Sequence, residues 1–121
     1  MRTIFLFTAF LLTFSSCQKE FDSKQIISVN ELHKVNFENG ENVLVDVRTP
    51  EEFAEGHIGN AINLDVNNPD FEAQIQKMDT AKTYYIYCQA GVRSSKATSK
   101  LLRNGFKHIV NLKDGYKAYQ K

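Results

Sequence analysis

The chain has 121 residues, with 15 lysines and arginines against 14 aspartates and glutamates, and a formal net charge of +1. This length allows one domain with a modest core. A balanced charge without a recognisable nucleic-acid motif argues against a nucleic-acid partner, and two cysteines are too few for a disulfide scaffold.

Residues 1–16 are predicted to form a signal peptide. Arg2 is a basic start, residues 4–14 are apolar but too short to span a bilayer, and small residues precede Cys17. This resembles the bacterial lipobox, although Phe14 stands where an aliphatic residue is usual. The resemblance implies acylation of Cys17 and an extracytoplasmic protein, at the periplasm or cell surface, lipid-anchored to a bacterial membrane. An ordinary cleaved signal and an uncleaved anchor are the alternatives.

After a short polar linker at 17–24, strand and helix patterns alternate over residues 25–121. Two capping boxes, Ser28 with Glu31 and Thr49 with Glu52, mark helix starts, and Gly105 marks a helix stop. The predicted elements are an edge strand at 25–27, a helix to about 35, a strand at 43–46, a short helix before Gly56, a strand at 61–64, a helix over 71–78, a strand at 83–87, a helix to 104, a strand at 109–110 and a short helix at 115–120.

This alternation predicts a single α/β domain. Strands that alternate with helices form a mostly parallel sheet, here of about five strands, with helices on both faces and right-handed crossovers. In such sheets ligands bind at the carboxyl edge of the strands.

A cysteine follows the strand at 83–87 directly, in the loop Cys-Gln-Ala-Gly-Val-Arg-Ser at 88–94. At a strand-to-helix junction, unpartnered backbone N–H groups and the helix dipole favour a thiolate. Gly91 allows the backbone to fold tightly around Cys88. The charged guanidinium of Arg93 can donate two hydrogen bonds to an oxyanion. The alternative is that Cys88 is a small inert core residue.

Three blocks, at 44–53, 56–64 and 88–94, together resemble the rhodanese-type sulfurtransferases over residues 25–121. Departures are Gly59-Asn60 in the second block and Asp114-Gly115 and Tyr119 near the end, none of which is expected to touch the chemistry. The resemblance implies a single-domain, thiosulfate sulfurtransferase-like enzyme without a cofactor.

By this resemblance Cys88 is the nucleophile that carries a persulfide. The donor is thiosulfate, a small sulfur-containing anion, or a persulfide, and the acceptor is a thiol or cyanide. Arg93 either binds the sulfonate end of the donor or fixes the loop from beneath. The remaining residues expected to bind substrate are Gln89, Ala90, Gly91 and Val92.

Other side chains are assigned structural roles. His57 lies beside a turn and is expected to be structural, while Asp46 and Arg48 are expected to hold loops. Ser94 is expected to form a hydrogen bond at the helix start. The histidines show no spacing typical of a metal site, and a monomer is the default.

Residues 80–121 contain nine lysines and arginines against one acid, Asp114. This segment either creates a basic field that attracts small anions or is neutralised by acids from residues 31–79 folded nearby.

Two other functions remain open. Related phosphatases and arsenate reductases place five residues between the cysteine and the arginine, whereas four separate Cys88 from Arg93 here. A non-catalytic rhodanese-like module that binds a partner is the second alternative, and such modules often lack the cysteine.

Overall fold

The computed structural model describes residues 24–120. The predicted signal peptide at 1–16, Cys17 and all of the linker except Lys24 lie outside the described residues, so lipid attachment and localisation stay predictions. Within residues 24–120 no helix is both long and apolar enough to cross a membrane.

The domain is an α/β fold with one five-stranded sheet, as predicted. Every pairing is parallel, and the strands lie in the order β1-β5-β4-β2-β3. The strands are β1 (Lys24–Ile27), β2 (Asn42–Asp46), β3 (Ile62–Asn63), β4 (Thr83–Tyr87) and β5 (His108–Leu112). The α-helices are α1 (Pro50–Glu55), α2 (Phe71–Ile75) and α3 (Val92–Arg103).

Two predicted helices are instead short 3₁₀ segments, at Val29–Lys34 and Tyr116–Ala118. The capping box of Ser28 and Glu31 does form, so the start signal was correct although the helix type was not. A 3₁₀ turn suits such short connectors because it closes a hydrogen bond with fewer residues. Two strands also differ in length from the prediction. β3 has two residues where four were predicted, and β5 has five where two were predicted.

Apolar residues cover both faces of the sheet. One cluster contains Ile86, Phe71 and Ile75 together with Leu101 of α3. The second contains Tyr87, Leu112 and residues from the first 3₁₀ segment and from β2. Side chains alternate along β4 because successive strand residues point to opposite faces. Each fully buried aliphatic or aromatic side chain contributes roughly 2–3 kcal/mol of transfer free energy.

The strand order places Cys88 at the middle of the carboxyl edge. β4 pairs with β2 on one side and with β5 on the other. The residues that follow these three strands therefore meet at one edge of the sheet. They supply the loop 88–94, the segment 46–49 and the segment 113–116.

Candidate functional site

Cys88 is a free, buried cysteine whose residue surface is 1% exposed. The backbone N–H of Gly91 donates to its sulfur at 3.0 Å, and the Ser94 hydroxyl oxygen lies 3.6 Å from the sulfur. Burial raises the pKa of the thiol, but hydrogen bonds from Ser94, Ala90 and Gly91 outweigh it and leave the pKa below its ordinary value. The sulfur is thus enclosed by donors that stabilise its anion.

 The donors around the Cys88 sulfur are Ala90, Gly91 and Ser94, and their hydrogen bonds lower the pKa of the thiol. Ser94, expected only to bond at the helix start, also contacts the sulfur, and its hydroxyl donates to the Gly91 carbonyl at 3.0 Å. Its position six residues after Cys88, in the first turn of α3, is the signal that could have identified it.

Gly91 is required at the N-terminus of α3 for two reasons. Its φ of 104° lies in the left-handed region, where side chains with a Cβ are strained. A Cβ at this position would also collide with the backbone carbonyl oxygen of Lys113. The loop therefore packs directly against the segment that follows β5.

That segment holds the loop by backbone hydrogen bonds. The Tyr116 N–H donates to the Cys88 carbonyl at 2.8 Å, and the Lys117 N–H donates to the Gln89 carbonyl at 3.1 Å. A Cβ at Gly115 would lie 2.6 Å from the Gln89 carbonyl carbon. Gly115, which keeps the usual glycine of this segment, therefore packs on the residue beside the nucleophile.

The Arg93 guanidinium is already paired with a carboxylate. Its two terminal nitrogens lie 2.6 and 2.8 Å from the Glu52 carboxylate oxygens in a bidentate pair. The hydrogen bond from Arg93 is the largest cause that lowers the pKa of Glu52, to about 2. Of the two roles expected for Arg93, this geometry matches the one that fixes the loop. Glu52 was predicted from its capping box alone, and its link to the loop was missed.

A second ion pair lies beneath the loop, between Asp46 and Arg48, which are 0% and 2% exposed. The Arg48 guanidinium contacts the Asp46 carboxylate at 2.7 Å and donates to the Gly56 carbonyl at 2.7 Å. Its other terminal nitrogen donates to the Gln89 side-chain oxygen at 3.3 Å. These contacts agree with the predicted loop-holding role, and they are satisfied as a buried pair requires.

The remaining predicted site residues lie at the surface. Ala90 is exposed and Val92 is 81% exposed, so the tip of the loop faces solvent while the thiol faces inward. His57 is exposed and stacks on Phe53, with ring centroids 3.8 Å apart, in agreement with a structural role. Arg93, one of the nine basic residues of 80–121, pairs with an acid from the earlier half of the chain.

No cluster of three or more histidine, cysteine, aspartate or glutamate side chains suited to a metal ion occurs within residues 24–120. A groove of about 610 Å³ lies elsewhere, between the first 3₁₀ segment, β2 and the turn at 58–60. None of its lining residues belongs to the loop 88–94. This groove is therefore separate from the loop that carries Cys88.

The arrangement supports nucleophilic chemistry without a separate base. A thiolate enclosed by backbone N–H donors can attack an electrophile, and the same donors can stabilise negative charge that remains on the loop afterwards. Four residues separate Cys88 from Arg93, so the loop is one residue shorter than that of the phosphatase relatives.

Known proteins are similar to this chain in sequence and in fold. The Arabidopsis thaliana protein "Thiosulfate sulfurtransferase 16, chloroplastic" is 39% identical over 87 residues, which cover 64% of this chain and 72% of that protein. A "tRNA uridine(34) hydroxylase" of Buchnera aphidicola is 36% identical over 83 residues, but these cover 25% of the hydroxylase and 64% of this chain. The alignments with the first three curated relatives span 59%, 72% and 50% of their lengths.

The structural comparison covers more of the chain. A "Rhodanese-like Domain Protein from Staphylococcus aureus" superposes with a TM-score of 0.69 at 33% identity, over 80% of this chain and 92% of that one. Residues 28–121 also match the profile of the family described as "Rhodanese-like domain". With the cysteine loop at the same carboxyl edge that the sequence blocks indicated, the chain belongs to the rhodanese-like domain family.

Proposed function

We propose that this protein is a sulfurtransferase that carries a sulfane sulfur on Cys88. The observation that supports this most directly is the free thiol with a lowered pKa, held 3.0 Å from the Gly91 N–H in a loop that starts a helix. The name of the Arabidopsis relative supports the same reaction class.

The reaction is two displacements at sulfur. In the first, the Cys88 thiolate attacks the outer sulfur of thiosulfate, a new S–S bond forms, and the old S–S bond breaks with its electron pair leaving on sulfite. The products are an enzyme persulfide anion and sulfite, so charge is conserved. In the second, cyanide or a thiolate attacks the outer sulfur of the persulfide, and the Cys88 thiolate leaves.

The chain supplies three things to these steps. Hydrogen bonds lower the pKa of the Cys88 thiol and so favour the thiolate that a nucleophile requires. Backbone N–H groups on the loop are available to an anionic terminal sulfur, in the way that an oxyanion hole serves acyl transfer. The contacts from Tyr116 and Lys117 fix the loop, so the donors need little reorganisation during the reaction.

Mass spectrometry of the intact protein tests the proposal. Incubation with thiosulfate should add one sulfur atom to the wild type, and cyanide should remove it as thiocyanate. Cys88→Ser should show no addition, whereas the matched variant Cys17→Ser should still gain the sulfur. A wild type that stays unmodified but hydrolyses an aryl phosphate would favour the phosphatase alternative instead.

A further inference from the structure

Arg93 is the sole charged residue of the loop 88–94, and Glu52 neutralises it. The two side chains are 25% and 33% exposed, so solvent and small solutes reach the pair. Hydrogen bonding to Glu52 is the main cause that raises the pKa of Arg93, and the Cys88 thiolate adds a smaller effect in the same direction. The pair therefore lies within electrostatic reach of the reacting sulfur.

Glu52 is itself fixed in place from α1. Its carboxylate accepts hydrogen bonds from the Thr49 N–H at 3.0 Å and from the Thr49 hydroxyl at 3.1 Å, in addition to the two from Arg93. Because both ends of the ion pair are anchored, Arg93 cannot turn toward a donor without losing two charge-assisted bonds. Glu52 stays ionised at neutral pH, since its pKa is about 2.

We propose that Glu52 is a specificity-determining residue that cancels the charge of Arg93, so that Cys88 takes sulfur from organic persulfides, which carry at most one negative charge, in preference to the thiosulfate dianion. This inference rests on the proposed sulfurtransferase function. A dianion that approaches the loop is repelled by the Glu52 carboxylate. The Arg93 guanidinium cannot bind its sulfonate, because it is already paired with Glu52. An organic persulfide has no sulfonate group, carries one negative charge as RSS⁻ and none as RSSH, and is therefore repelled less by Glu52.

The transfer from a persulfide balances without a further reactant. The Cys88 thiolate attacks the outer sulfur of RSSH, the S–S bond within RSSH breaks, and its electron pair leaves on the thiolate RS⁻. The enzyme product is the persulfide Cys88–S–SH, which keeps the proton of the donor.

Rates of sulfur loading measured by rapid quench and mass spectrometry test the role of Glu52. The donors are thiosulfate and the persulfide of 2-mercaptoethanol, which has no other charged group. In Glu52→Gln the ratio of the thiosulfate rate to the persulfide rate should rise about tenfold over the wild type, because one negative charge near the surface has been removed. Lys113 and Lys117, which follow β5 beside the loop, are unchanged in every variant, so their attraction for anions cancels in the ratio.

Two matched variants separate charge from structure. Glu51→Gln removes the same charge from the neighbouring exposed residue of α1 and should leave the ratio within about twofold of the wild type. Glu52→Asp keeps the charge and should keep the ratio low. Glutamine can also serve in a capping box, so α1 should persist in Glu52→Gln. An unchanged ratio in Glu52→Gln, or an equal loss of both rates, would overturn the inference.

Alkylation of Cys88 gives a readout that does not depend on sulfur transfer. The ratio of the iodoacetate rate to the iodoacetamide rate compares an anionic with a neutral electrophile at the same sulfur. It should also rise about tenfold in Glu52→Gln and stay unchanged in Glu51→Gln. A wild type that never loads sulfur would reject the proposed function, whereas an unchanged alkylation ratio would reject the role of Glu52.

Discussion

Gly91 and Gly40 both have a positive φ, of 104° and 74°, but their surroundings differ. A Cβ at Gly40 would meet no heavy atom within 4 Å, whereas one at Gly91 would collide with the Lys113 carbonyl. Gly40→Ala should therefore lower the free energy of unfolding by about 1 kcal/mol, the cost of a left-handed residue. Gly91→Ala should lower it by about 3 kcal/mol, because the backbone must also move. Denaturation in urea measures both values.

The same pair of variants tests whether the loop geometry controls the thiol. A displaced Gly91 N–H no longer reaches the sulfur, so Gly91→Ala should also slow alkylation of Cys88 at neutral pH. Gly40→Ala should leave that rate unchanged. Equal effects of the two substitutions on stability would contradict the steric argument.

Ser94 offers a direct test of how the pKa of the Cys88 thiol is lowered. The Ser94 hydroxyl lowers the pKa of Cys88, so Ser94→Ala should raise that pKa by about half a unit to one unit. The pH dependence of iodoacetamide alkylation should shift upward by the same amount, with its midpoint in the wild type below 9.0. Ser99→Ala is the control, since the exposed Ser99 hydroxyl donates to the Ser95 carbonyl on α3. An unshifted profile in Ser94→Ala would remove Ser94 from the site.

For single residues, the sequence identifies those whose role is local and misses those whose role depends on contacts with distant parts of the chain. Cys88, Gly91 and Arg93 stand within one loop, so their spacing alone indicated them. The partner of Arg93 is 41 residues away in the chain, and no local pattern connects them. Gly115 likewise meets Gln89 through the folding of β5 beside β4.

Among the elements, the turn after β5 is joined to the first 3₁₀ segment by Asp114. Its carboxylate accepts hydrogen bonds from the Ser28 hydroxyl and from the Val29 N–H, both at 2.7 Å. Burial raises the pKa of Asp114, but these bonds outweigh it and hold the pKa below its ordinary value of 3.8. Asp114 thus caps one element and anchors the segment that supports the loop.

Asp114→Ala should therefore lower the free energy of unfolding by about 1 kcal/mol at neutral pH. A carboxyl group whose pKa is lowered by folding stabilises the fold above its ordinary pKa and ceases to do so as pH falls through the lowered value. The difference from the wild type should shrink below pH 3.8, as urea denaturation at several pH values would show. Asp70→Ala is the control, because Asp70 precedes α2 without a side-chain capping bond. A difference independent of pH would contradict the capping role.

The helix starts were predictable because capping boxes are local signals, and both form as predicted. The choice between an α-helix and a 3₁₀ helix was not, since six residues give too few hydrogen bonds for propensity to decide. Strand β3 is shorter than its apolar pattern because it pairs with just two residues of β2, Val45 and Asp46. The ends of β3 are set by the residues with which it pairs, and the local sequence pattern does not show these residues.

In the whole molecule one parallel sheet separates two apolar clusters, and β4 contributes to both. Tyr84 belongs to one cluster and Tyr87 to the other, and both are buried. The alternation of strands and helices predicted this layered fold, because a parallel sheet must be covered on both faces. Since the strands are shared, loss of packing on one face should weaken the whole domain.

Phe71→Ala on one face and Leu112→Ala on the other should each lower the free energy of unfolding by about 3 kcal/mol, because both side chains are at most 1% exposed. For a domain of this size that corresponds to a decrease in Tm of roughly 10–20 °C. Thermal unfolding followed by far-ultraviolet circular dichroism and by tyrosine absorbance should give coincident transitions in both variants and in the wild type. A tyrosine transition that precedes the loss of secondary structure in one variant would show that the two faces unfold separately.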